Sequence, residues 1–195
     1  MGDITHESPS RARVGEAVAE WLCCATDDRR AALLVMSRGE LTVLRLGTLF
    51  SAVRVPAEIV FAAFETEELA AIATSLRTCL HRAGVIHDPR HRRFYVLVPK
   101  HTATLWHQAG AECLGRGSYL GVPSPLGNRP SRDPWATYWL VPLPSPGELC
   151  DPARLVDLVA EGRLRQAEPT NHESLARPEQ LNYPSVQGDC NDAPT

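Results

Sequence analysis

Lysine is all but missing from this sequence: Lys100 stands alone among 20 basic residues, and arginine supplies the rest. With abundant Ala, Leu and Pro, that bias reflects GC-rich coding and carries no information about binding. Long apolar runs are missing too. None approaches the roughly 18 residues that a membrane-crossing helix needs, and Met1–Ser10 has no apolar core of the kind a signal peptide carries. The expectation is a cytoplasmic protein with no membrane partner. The six cysteines (Cys23, Cys24, Cys79, Cys113, Cys150, Cys190) form no C-x-x-C pair and share no regular spacing. In a reducing compartment they are expected to be free thiols, mostly buried and inert. A surplus of one charge sign is also missing. The net charge of −3 excludes a polyanion-binding surface spread over the whole molecule, while permitting a local one.

What is present is globular. The 195 residues, 44% of them hydrophobic, suffice for one domain that buries roughly two-thirds of its unfolded surface without a disulfide, metal or cofactor. Val14, Val18, Trp21 and Leu22 recur at helical spacing behind Ser10, predicting a helix over 11–25. Ala31–Met36 and Leu41–Leu46, separated by Ser37-Arg38-Gly39-Glu40, read as a hairpin. A third apolar run, Leu49–Val55, ends at Pro56, where a helix over Ala57–Phe64 begins. Thr66, Glu67 and Glu68 start another helix through Leu69, Ile72, Leu76 and Leu80 that stops at Gly84.

Short strands follow. Val85–His87 and Phe94–Val98, divided by Asp88-Pro89-Arg90, read as a second hairpin. After a short helical stretch at Ala103–Gln108 come strands at Glu112–Leu114, Tyr119–Val122 and Thr137–Val141, the last two separated by a Pro/Gly-rich loop. Asp151 and Pro152 supply an N-cap and first-turn proline for a helix with Leu155, Val156 and Val159 on its apolar face and Gly162 as its stop. The predicted organisation is a flexible N-terminus over 1–10, a single α+β domain over 11–162 and a disordered tail over 163–195.

Few residues carry recognisable chemistry. His87, Asp88 and His91 include two imidazoles and a carboxylate, but they straddle a proline turn where side chains diverge, so a metal site is not expected. Gly115-Arg116-Gly117-Ser118 lacks the Lys-Ser/Thr and following helix of a phosphate-binding loop and reads as a tight turn. No serine or cysteine has a nucleophile signature, and Cys23-Cys24 reads as core packing. The densest signal is basic: Arg82, Arg90, His91, Arg92 and Arg93 at one end of a strand and Lys100 and His101 at the other. Arg116, Arg129 and Arg132 can join them in a phosphate-binding patch. The competing reading is a solvated arginine-rich hairpin. Tyr95, Tyr119, Tyr138 and Trp139 fit either base stacking or ordinary sheet packing.

Three segments taken together, Leu49-Phe50-Ser51-Ala52-Val53-Arg54-Val55-Pro56, Arg92-Arg93-Phe94-Tyr95-Val96-Leu97-Val98-Pro99 and the stretch from Glu112 to Pro123, resemble a known family in order and spacing. It is the N-terminal domain of bifunctional DNA primase/polymerases, in the divergent form found in actinomycetes and their mobile elements. The resemblance spans about 30–160. It implies a central, mostly antiparallel RRM-like sheet flanked by helices. In active relatives the first strand ends Asp-x-Asp, a histidine precedes the second, and a further acid precedes the third; the acids hold divalent metal and the histidine holds nucleotide phosphates. Here those positions fall on Arg54 and Pro56, on Arg93, and on Glu112.

The resemblance therefore implies a broken metal site, no polymerase activity and no cofactor, with Arg93 still able to meet a phosphate. The expected function is that of a non-catalytic accessory or regulatory protein, with DNA or a replication protein as partner. Its expected phosphate-binding residues are Arg54, Arg90, Arg92, Arg93, Lys100 and Arg116, beside the residual acid Glu112. Two alternatives stand: a protein-interaction module, and a residual nucleotidyltransferase combining Glu112 with Asp88 or Asp133.

Overall fold

The computed structural model describes residues 11–81, 83–126 and 133–167. Helix α1 (Arg11–Leu22) buries Val18, Ala19 and Leu22, and a 3-10 turn, Cys23–Ala25, ends it. Helix α2 (Arg29–Ser37) starts at Asp28, whose carboxylate accepts the Ala31 N–H at 2.9 Å. This helix corrects the first predicted hairpin. Ala31–Met36 is helical because Ala-Ala-Leu-Leu propagates readily behind an Asp cap, and Ala32 and Met36, four residues apart, are its buried positions. The supposed partner strand does form, as β1 (Thr42–Arg45). It pairs instead with β6 (Tyr119–Val122), far along the chain, in antiparallel register from Thr42↔Val122 to Arg45↔Tyr119.

The main sheet holds β2 (Phe50–Pro56), β3 (Val85–Asp88), β4 (Arg93–Pro99), β5 (Glu112–Leu114) and β7 (Tyr138–Val141), in the order β5-β2-β4-β3-β7 with every neighbouring pair antiparallel. Counted from β2, its first four strands lie in the order 4-1-3-2, the RRM-like arrangement, with β7 added at one edge. The hairpin predicted over 85–98 is β3 and β4. The strands flanking Gly115-Arg116-Gly117, in contrast, do not pair with each other: β5 closes the main sheet and β6 belongs to the ribbon with β1.

Side-chain alternation along β2 and β4 sends successive residues into two cores. Val53, Val55, Phe94 and Val96 face α3 (Ala57–Phe64), α4 (Leu69–Cys79) and α6 (Pro152–Ala167), meeting Val60, Ile72, Leu76, Leu155 and Val159. Phe50, Ala52 and Leu97, with Ile86 of β3, face the other way and pack under α1, α2 and the ribbon, against Leu22, Met36, Leu44 and Leu120. A short helix, α5 (Thr102–Leu105), links β4 to β5.

Asp151 caps α6 by accepting the Ala153 N–H at 3.0 Å. The predicted stop at Gly162 is overturned, since the helix runs on to Ala167. A Cβ at Gly162 would lie 2.1 Å from the carbonyl oxygen of Ile59, so this glycine lets α6 lie directly on α3. The expected tail thus begins no earlier than 168; positions 168–195 and the predicted flexible N-terminus over 1–10 lie outside the described residues. Among the described residues no helix is long and apolar enough to cross a membrane.

Candidate anion site at one end of the sheet

The residues that alternate with the helix-facing core on β2 and β4 are apolar near Phe50 and polar near Pro56. Arg54 stands opposite Tyr95 on β4 and Glu112 on β5, and Pro56 stands opposite Arg93. Tyr95 packs half-buried against the core beneath α1 and α2. Beyond it, Arg54, Pro56, Arg93, Gly110, Ala111 and Glu112 line a concavity of about 370 Å³. Arg54 donates to the Glu112 carboxylate. The Arg54 side chain is 33% exposed and that of Glu112 58%, so water screens the pair. Arg93 makes no ion pair among the described residues.

The other predicted anion-binding residues do not join this site. Arg92, in a left-handed conformation (φ 52°) at the end of the β3–β4 turn, donates Nε to Glu58 at 2.7 Å and lies 5.9 Å from the centre of the Phe61 ring. This ion pair holds the Glu58 carboxyl below the usual carboxylate range, the hydrogen bond from Arg92 being the largest cause. Arg90 approaches Asp133 at 3.7 Å. Lys100 and Arg116 sit at the far end of the sheet. The carbonyl of Lys100 accepts the Ser51 hydroxyl at 3.0 Å, and the amide of Arg116 presses on Gly47, where a Cβ would come within 2.3 Å. That end is about 13 Å from Arg54, four residues at strand rise. Arg82, Arg129 and Arg132 lie outside the described residues. Lys100 and Arg116 are therefore a strand's length away from the concavity that Arg54 and Arg93 share, and Arg90 and Arg92 meet acids outside its lining.

His87 turns away from Asp88 and His91, but those two meet across the turn where divergence was expected. The His87 ring stacks on Phe94 with centroids 4.5 Å apart, and Nδ1 meets the Tyr138 hydroxyl at 3.0 Å. Burial pushes its pKa down to about 4, against a smaller upward pull from Asp88. Asp88 instead engages His91 Nδ1 at 2.8 Å. Among the described residues no group of three or more His, Cys, Asp or Glu is placed to hold a metal ion. At the positions to which the resemblance assigns metal ligands, Arg54 and Pro56 offer a divalent cation no side-chain donor, and Glu112 is turned to Arg54. This set does not fit such an ion.

Gly115–Ser118 is a tight turn, closed by the Ser118 N–H donating to the Gly115 carbonyl at 3.0 Å. Cys23 and Cys150 are buried, Cys79 and Cys113 half-buried and Cys24 exposed, all of them free. Burial raises the Cys113 thiol to about 11 and that of Cys150 to about 12, so neither supplies thiolate at neutral pH. Trp139 is an ordinary core aromatic whose Nε1 donates to the Pro123 carbonyl at 2.8 Å.

One neighbour of the site was invisible in the sequence. Arg163, assigned there to a disordered tail, lies on α6 with its Cδ only 2.6 Å from where a Gly110 Cβ would be, so its stem crosses the glycine that lines the concavity. The signal that finds it is the continuation of α6 beyond Gly162. A larger groove of about 800 Å³, between α1 and β7, includes Val18, Leu126, Trp139 and Leu143, with Arg11 and Arg77 as its charged lining residues. Its other lining residues are apolar or proline and it includes none of the residues singled out for phosphate binding, whereas the smaller site includes Arg54 and Arg93. No protein-family model, curated protein or solved structure matches the chain.

Proposed function

We propose that this protein is a non-catalytic, primase/polymerase-like accessory or regulatory factor whose Arg54–Arg93 end binds the phosphates of a nucleic acid. In this reading it acts in the cytoplasm, in replication or maintenance of an actinomycete mobile element. The observation that carries it is the meeting of Arg54 and Arg93 in one concavity, at positions where the resembled enzymes carry an acid and a phosphate-holding histidine. Guanidinium groups suit phosphate oxygens bidentately and stay charged at any physiological pH.

Two guanidinium groups neutralise few phosphates, so affinity should be modest and the salt dependence shallow, with a log–log slope of about −2. A gel-shift series on single- and double-stranded DNA tests the reading. Binding at low salt that Arg54→Ala and Arg93→Ala together remove is the expected result. No binding by the wild-type chain even at low salt ends the nucleic-acid reading.

A protein-interaction module is the second reading, favoured by the outer face of the ribbon, where Leu41, Val43 and Tyr119 are 47%, 62% and 60% exposed. If that reading is correct, the double arginine variant keeps its cellular activity and Val43→Asp loses it.

A further inference from the structure

Resting on the phosphate-binding reading, we infer that the site takes a phosphomonoester, the terminal phosphate of a strand or of a mononucleotide, and that Glu112 is the counter-charge this ligand displaces from Arg54.

The site is small and built from three adjacent strands and one loop. Arg54 and Pro56 lie on the middle strand of three, between Glu112 on the edge strand β5 and Arg93 on β4. The loop residues Gly110 and Ala111 complete the wall, and the volume of about 370 Å³ suits one nucleotide-sized group.

Charge selects further. With Glu112 in place, the concavity holds two guanidinium groups and one carboxylate. A diester phosphate carries one negative charge, which Arg93 alone can balance without disturbing the Arg54–Glu112 pair. A monoester carries about −1.5 to −2 at pH 7. It matches both arginines once Glu112 turns away, and it repels that carboxylate strongly enough to make the turn favourable.

Displacement costs little. The Arg54–Glu112 pair stands at a sheet edge with its acid more than half exposed, and exposed pairs of this kind contribute little to stability. Released, the carboxylate returns to water. No covalent change is involved; one acceptor replaces another on the same guanidinium.

Fluorescence anisotropy with the full chain and a 3′-labelled single strand tests the inference, comparing a 5′-phosphate with a 5′-hydroxyl and using adenosine monophosphate as competitor. The phosphorylated strand should bind about tenfold tighter, the effect of one additional charge-assisted contact. Arg93→Ala should erase that preference. Glu112→Gln, judged folded by circular dichroism, should tighten binding of both strands and release Arg54 from competition.

Competition by the mononucleotide at the affinity of the strand would identify a free nucleotide as the ligand; competition only at far higher concentration would identify a strand end. Equal affinity for the two strands overturns the monoester inference while leaving nucleic-acid binding intact. Weaker binding by Glu112→Gln overturns the displacement. If neither strand binds but the mononucleotide does, the inference stands and the nucleic-acid reading falls. If nothing binds, both fall.

Discussion

The two faces of the main sheet use the same strands to opposite ends. Toward α3, α4 and α6, Val53, Val55, Phe94 and Val96 are sealed from water. On the opposite face the N-terminal helices and ribbon cover Ala52 and Leu97 and leave Arg54, Arg93 and Glu112 in contact with solvent. One face is a stability device; the uncovered end of the other carries charge that packing does not need. The comparison teaches that neighbouring residues such as Arg93 and Phe94 should respond to substitution in different currencies, one in binding and the other in folding.

Breaking the covered face should have the largest effect. Phe94→Ala leaves a cavity beneath α3 and beside the His87 ring, and should cost about 4 kcal/mol in denaturant unfolding. Gly162→Ala forces a methyl group toward the Ile59 carbonyl and should cost about 3 kcal/mol by separating α6 from α3; melting curves would show it.

His87 makes the same face sensitive to acid. Its folded pKa is about 4 against 6.5 in the unfolded chain, so unfolding takes up a proton at any pH between the two values. Stability is fully present above pH 6.5 and falls as pH drops toward 4, by about 2 kcal/mol after allowance for partial solvation. Unfolding measured at pH 7.5 and pH 4.5 should show a smaller loss in His87→Phe than in the wild type. The smallest effect on stability belongs to the uncovered end: Arg54→Ala with Arg93→Ala should change unfolding free energy by less than about 1 kcal/mol. Phosphate binding should nevertheless disappear. A large loss of stability in that double variant would erase the distinction between the two faces.

Elements with local causes were legible in the sequence. Pro56 marks the junction of β2 and α3, Glu68 caps α4 by accepting the Ala70 and Ala71 N–H groups, and Asp151-Pro152 starts α6. The misreadings came from signals that distant contacts reinterpret. An apolar run of six residues fits a strand or a helix, and at Ala31–Met36 the helix wins through the Asp28 cap and the i, i+4 burial of Ala32 and Met36. Gly162 looks like a terminator until α3 is placed 2.1 Å from its missing Cβ.

The candidate site divides along the same line. Arg93 belongs to the basic cluster that the sequence displays, whereas Arg54 and Glu112 were singled out only through the resemblance; the structure sets the three side by side across β2, β4 and β5. Arg90 and Arg92 were grouped with them because the acids Asp133 and Glu58 that meet them come from distant parts of the chain, and Lys100 and Arg116 on the strength of charge although the strand already set Lys100 at its other end.

The register of the ribbon, Thr42 against Val122, also sets the order in which a growing chain can close. Leu44 and Leu46 leave the ribosome early, yet the strand that completes their sheet, β6, is made only after all of β2 to β5. At ordinary elongation rates that is a wait on the order of ten seconds. During it β2, β3 and β4 can pair and offer Ala52, Ile86 and Leu97 to the N-terminal helices, while β1 has no partner strand. An early-made strand with a late-made partner is thus an open edge for the whole interval, and the exposed N–H and C=O groups of β1 are available to chaperones until β6 arrives.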